Sequence, residues 1–209
     1  PVEKTPRRYV GGAAELLVDK LIRVENVVPP VGTEEFVEPV ILQVVCSRLW
    51  DELDPQAMEF TSKQVDKFDP ARALQAFYEQ CLEAAVKDMT ANSPEVEKFA
   101  QGTDRNDQAE ETLRNWFENT LITKAGTRNM VRQGEADTEG LANNIVLIFQ
   151  DKHIIRPVEG YRGHDRWFEL AHDRFIDPIR KSNADRQLER QSIKAVQQQL
   201  RADKIESYH

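Results

Sequence analysis

From Ala13 to Val24 apolar residues recur every three or four positions, at Leu16, Leu17, Leu21 and Val24, which predicts an amphipathic helix. Asn26 to Thr33, with Pro29, Pro30 and Gly32, predicts a loop. Pro39 suits the first turn of a second helix, whose Val40, Ile41, Val44, Val45, Leu49 and Trp50 make it apolar on most sides and therefore buried. Thr61 and Gln64 have the spacing of a capping box for a short helix over Val65 and Phe68. Asp69-Pro70 predicts the start of a long helix with a stripe of Ala73, Leu74, Phe77, Tyr78, Cys81, Leu82, Ala85 and Met89, interrupted at Asn92-Ser93-Pro94. Thr103 with Asn106 or Asp107 predicts a cap before the helix carrying Leu113, Trp116, Phe117 and Leu121.

After Gly126 the pattern predicts a short strand from Thr127 to Arg132. Beyond Thr138-Glu139-Gly140 it predicts a compact helix, with Leu141, Ile145, Val146, Ile148 and Phe149, ending near Asp151. The period then drops to two, and His153 to Val158, a polar turn from Glu159 to Asp165 and Arg166 to Leu170 predict a β-hairpin. Asp177-Pro178 reads as a fresh helix start, followed by a long polar helix from Ile179 to about Ile205. Its few apolar residues are chiefly Leu188, Ile193, Val196, Leu200 and Ile205, a pattern of helices that bridge to another domain or dock weakly. Helix, helix, hairpin, helix is the order of a winged helix-turn-helix, and no internal repeat suggests a solenoid. The fold class expected is mainly α.

Composition narrows the setting. The 209 residues allow one large domain or two small packed ones, with two favoured, and 40% apolar with 31% charged residues predicts a real core. No stretch reaches the ~18 to 20 apolar residues of a membrane helix, which with the lack of a leader predicts a cytoplasmic protein with no membrane partner. Pro1-Val2-Glu3-Lys4 opens without Met and suggests a missing N-terminal part. Cys46 and Cys81 sit in apolar helical patterns, as reduced core thiols do, without metal-ligand spacing. A net charge of −8 disfavours nucleic acid as a partner.

Catalytic motifs are missing. There is neither a Gly-x-x-x-x-Gly-Lys-Ser/Thr loop nor a Gly-x-Gly-x-x-Gly turn, and His153, His164, His172 and His209 lack the pairing of a zinc site. The chain by itself is therefore not expected to be an enzyme. His172-Asp173 stands out because it falls where a strand hands over to a helix, where an anion can bind. The alternative is that Asp173 caps the helix and His172 is a satisfied turn residue.

Three segments together carry a resemblance. Phe36 to Trp50 resembles the lid-helix segment that follows the ATPase core of bacterial STAND signalling NTPases. Trp116 to Thr123 followed by Gly126-Thr127-Arg128 resembles that family's winged-helix segment, and Trp167 to Ile179 resembles the end of it. The resemblance covers most of Ala13 to Ser182 and implies a helical lid over 1–60, a winged-helix domain with preceding helices over 61–182, and a C-terminal linker helix over 183–209. It implies that ADP or ATP, with magnesium held mainly by the ATPase core, sits between core, lid and winged helix. Pro39 then matches the lid proline near adenine, and His172, followed by Asp173, the histidine that contacts the β-phosphate, with Ala171 in place of the family's Met. Asp173 could cap the helix and orient that imidazole. Implied partners are the ATPase core and sensor repeats of the same polypeptide, with a homo-oligomer on activation in bacterial signalling or defence.

Two other functions remain open. A transcription regulator would put the Leu141 to Phe149 helix into a major groove, yet that helix carries no Lys or Arg for phosphates. An adaptor would use the wing and the long helix to bind a protein, with no nucleotide involved.

Overall fold

The computed structural model describes residues 7–22, 37–91, 102–158 and 165–206, apart from the side chains at 102–104, 202, 205 and 206. The chain is mainly helical. The predicted loop at 26–33, the interruption at 92–94 and the hairpin turn at 159–164 lie outside the described residues.

Local signals set the first half. Helix α1, Ala13–Ile22, buries Ala13, Leu17 and Leu21 against the short helix α3, Ser62–Lys67. Helix α3 begins with the expected capping box: the Gln64 backbone N–H donates to Thr61, and the Gln64 side chain accepts the Thr61 N–H at 2.8 Å. Pro39 opens helix α2, Pro39–Glu52, which buries Ile41, Val44, Val45 and Leu49. Its burial is one-sided, because Leu42 and Gln43 face solvent. Asp69 Oδ1 accepts the Ala71 N–H at 2.9 Å and so caps the 22-residue helix α4, Pro70–Ala91.

Helix α4 is the central post, packing on α2 and on three later helices. Helix α5, Gly102–Trp116, runs into a wider π turn at Phe117–Leu121, so Thr103 lies inside the first turn of α5 and not at its cap. Tyr78 of α4 meets Phe117 edge-on at 5.1 Å, and Phe117 meets Phe149 of helix α6, Asn143–Asp151, at 4.8 Å. These three rings are essentially without exposure and join the helical layers into one apolar core.

The β-structure is sparse. Strands β1, Arg8–Tyr9, and β2, Glu59–Phe60, pair in parallel, with Tyr9 stacked on Phe60. The strand expected over Thr127 to Arg132 is confined to β3, Val131–Arg132, while Arg128 forms an isolated bridge with Ile122. A tight hairpin follows, β4, Asp137–Thr138, against β5, Leu141–Ala142, with Glu139 and Gly140 both at positive φ. The hairpin takes up Leu141, where the compact helix was expected to begin, and α6 therefore starts two residues later. Strands β6, Ile155–Val158, and β7, Trp167–Leu170, form the expected wing, and with β3 give a sheet of order β3-β7-β6. Pro157 is tolerated because β6 is an edge strand. His153, expected in the strand, instead adopts φ 61° in the turn that ends α6.

Helix α7 runs from Ile176 to Glu206. It starts before Asp177-Pro178, straight out of a 3₁₀ turn at Asp173–Phe175, and Pro178 falls in its first turn, where no N–H is required.

Candidate functional site

Glu38 precedes Pro39 and gives the N-terminus of α2 no side-chain cap, so among the described residues no side chain caps its first turn. Pro39 is exposed. It shares a cleft of about 560 Å³ with Glu38, Gln43, Asp151, Arg156 and Ala171. Pro39 and Ala171 are thus brought together from opposite ends of the sequence, because α2 lies beside the α6–β6 corner and the Ala171 N–H donates to Ile154 O at 2.9 Å.

His172 follows Ala171 and is partly buried. Its Nδ1 accepts the Arg174 backbone N–H at 3.0 Å, making His172 the cap of the 3₁₀ turn that leads into α7. An accepting Nδ1 requires the neutral ring with its proton on Nε2, which leaves one N–H to donate. Burial lowers the His172 pKa and wins over the opposing carboxylate of Glu38.

Asp173 plays a different part from the one expected. It neither caps the helix nor holds the imidazole; its Oδ1 accepts from Arg128 Nε at 2.7 Å. Arg128 also donates to Glu169 Oε1, which in turn accepts from Arg156 Nε at 2.8 Å. The chain Arg156–Glu169–Arg128–Asp173 laces the wing to the start of α7, and sequence spacing gave no hint of it because its members come from three separate segments, around 128, 156 and 169–173. Arg174 completes the junction by donating to Ile22 O at the end of α1.

The cleft is chemically lopsided. Glu38 and Asp151 line it, and its one guanidinium, Arg156, is already paired with Glu169. Pro39, Val40 and Ala171 give the cleft its apolar wall, and it holds no unpaired guanidinium for a diphosphate. No cluster of His, Cys, Asp and Glu suited to a metal occurs among the described residues. Cys81 is buried and its thiol is pushed up to about 12 by desolvation, while Cys46 accepts from the Tyr9 hydroxyl.

Helix α6 is poorly equipped as a DNA reader. Asn143 Oδ1 accepts from the Thr138 hydroxyl while its amide donates to Gly134 O, and the Asn144 amide donates to Asp88 of α4. Both amides are thus already engaged within the chain, Asn143 in the turn before α6 and Asn144 at the surface.

Compared with known protein families, curated proteins and solved structures, the chain matches none of them.

Proposed function

We propose that the chain is the regulatory helical and winged-helix module of a STAND signalling NTPase. In this reading it helps hold ADP and couples nucleotide state to sensor-driven activation and oligomerisation. The observation that carries the reading is the meeting of the Pro39 end of α2 with Ala171, the residue before His172, at one cleft, although the two segments are far apart in sequence.

The physical logic follows from the protonation state. A neutral His172 fixed through Nδ1 presents a preorganised Nε2–H, and the first turn of α2, which Glu38 does not cap, brings the positive end of a helix dipole. A single donor to a diphosphate contributes about 1.5 to 3 kcal/mol, enough to bias a two-state latch. Magnesium and the cations for the remaining phosphate charge would belong to the ATPase core.

The test is ADP retention by the polypeptide that joins this chain to its ATPase core. His172→Ala should lower copurified ADP by about tenfold, the equivalent of ~1.4 kcal/mol, and raise basal activity. Unchanged retention would overturn the role of His172. A parent polypeptide without a phosphate-binding loop would overturn the family reading itself.

A further inference from the structure

Helix α7 is fastened along its first half and exposed over residues 191–200. Arg186 donates to Asp107 and Glu110 of α5, and Arg190 donates to Glu111 and to the Asp107 carbonyl. Nearer the start of α7, Asn183 bonds to Arg114 and Glu118. Asn183 meets residues 114 and 118 while Arg186 and Arg190, further along α7, meet residues 107–111, so the acidic face of α5 lies antiparallel on a basic face of α7. Beyond Arg190 every residue from 191 to 200 is exposed.

The basic face nevertheless continues. At about 100° per residue, Arg186, Arg190, Lys194, Arg201 and Lys204 fall in one sector about 80° wide that contains no acidic residue. Ile193, Val196 and Leu200 fill the adjoining sector and are 48%, 59% and 62% exposed. An isolated helical extension of this length is marginal in water, and neighbouring exposed aliphatics on it mark a contact surface.

We infer that the distal half of α7 is a docking surface for an acidic amphipathic helix of a partner protein, seated antiparallel as a continuation of the α5 interface. Continuity and charge select this occupant: α5 already satisfies Arg186 and Arg190 with carboxylates, and the same sector goes on through Lys194 and Arg201 next to an apolar strip. The partner helix would set leucines on Ile193, Val196 and Leu200 and glutamates beside the cations.

The experiment titrates the whole chain into a fluorescein-labelled helical peptide with leucine at the a and d heptad positions and glutamate flanking them, read by anisotropy. Binding is expected with Kd on the order of 10 µM. Lys194→Glu with Arg201→Glu should weaken it roughly tenfold and create binding to the same peptide with lysines for glutamates. These positions are exposed, so circular dichroism should show an unchanged fold. No binding of the acidic peptide, or binding indifferent to the charge reversal, overturns the inference. So does tighter binding of duplex DNA or anionic vesicles, or a dimer of the chain alone that Ile193→Ser with Leu200→Ser dissociates.

Discussion

His172 Nδ1 accepts the backbone N–H of Arg174 at 3.0 Å, so the entry into α7 is capped by an imidazole that must stay neutral. Protonation would place a hydrogen on the accepting nitrogen and break the cap.

The consequence is an acid-sensitive junction. The folded His172 pKa lies below its ordinary value, chiefly through burial, so between the folded and unfolded values the unfolded chain binds more protons. The stabilisation is full above about pH 6.5 and is lost as pH falls through the lower folded value. His172→Asn, which can still cap, should remove this step when thermal unfolding is compared from pH 8 to pH 5; an identical pH profile in wild type and variant would refute it. A separate loss belongs to lower pH. Burial raises Glu110, but the hydrogen bonds and charges of Arg114 and Arg186 outweigh it and hold it below the usual carboxylate range, so its contribution fades as pH falls below about 4.5.

Tyr78 should show a modest polar cost and no packing cost. Its hydroxyl donates to Asn183 Oδ1 at 3.0 Å, and that oxygen also accepts from Arg114 at 3.1 Å. Tyr78→Phe therefore leaves Asn183 satisfied and should cost about 1 kcal/mol in urea unfolding. Phe149→Ala, at a fully buried ring touching Phe117, should cost about 3 to 5 kcal/mol by the same measurement.

The hairpin before α6 isolates backbone strain from crowding. Gly140 has φ +81°, and a Cβ there would meet nothing within 4 Å. Gly140→Ala should cost about 1 kcal/mol from conformation alone. Glu139, at φ 48°, is an ordinary residue in the same left-handed region, and Glu139→Asn should gain a few tenths of a kcal/mol. Chemical denaturation midpoints of the two variants should move in opposite directions.

These positions show which parts of the fold the sequence displays. Thr61 with Gln64, Asp69 before Pro70, and Pro39 are local caps whose geometry needs only three or four neighbouring residues, and each opens the helix expected of it. Leu141 is different. It keeps helical spacing with Ile145 and Phe149, yet it is buried from a strand, because two positive φ angles before it reverse the chain and this reversal does not alter the apolar period. The two-residue strands β1 and β2 have no local signal, since their register comes from contacts about fifty residues apart. At the candidate site, the identities of His172 and Asp173 were legible but their tasks were not. Either can cap a turn, and the choice is made by Arg128, which takes the Asp173 carboxylate from a distant segment.

Truncation of α7 separates its two halves. Residues 191–200 are all exposed, so a chain ending at Ser192 should keep its stability within about 0.5 kcal/mol. A chain ending at Lys181 loses Ser182 and Asn183, which hold Arg114, and also Arg186 and Arg190, which hold the carboxylates of α5. Glu110 would keep Arg114 at 2.7 Å but lose its second guanidinium, and the Tyr78 hydroxyl would lose Asn183. Those losses act together on one partly buried network and should cost about 3 kcal/mol or more, discounted for the partial exposure of Arg186 and Arg190. Calorimetric melting of both truncations decides the point: equal destabilisation would mean that the distal half contributes to the body of the protein, and an intact Lys181 truncation would mean that the α5–α7 ion pairs contribute nothing measurable.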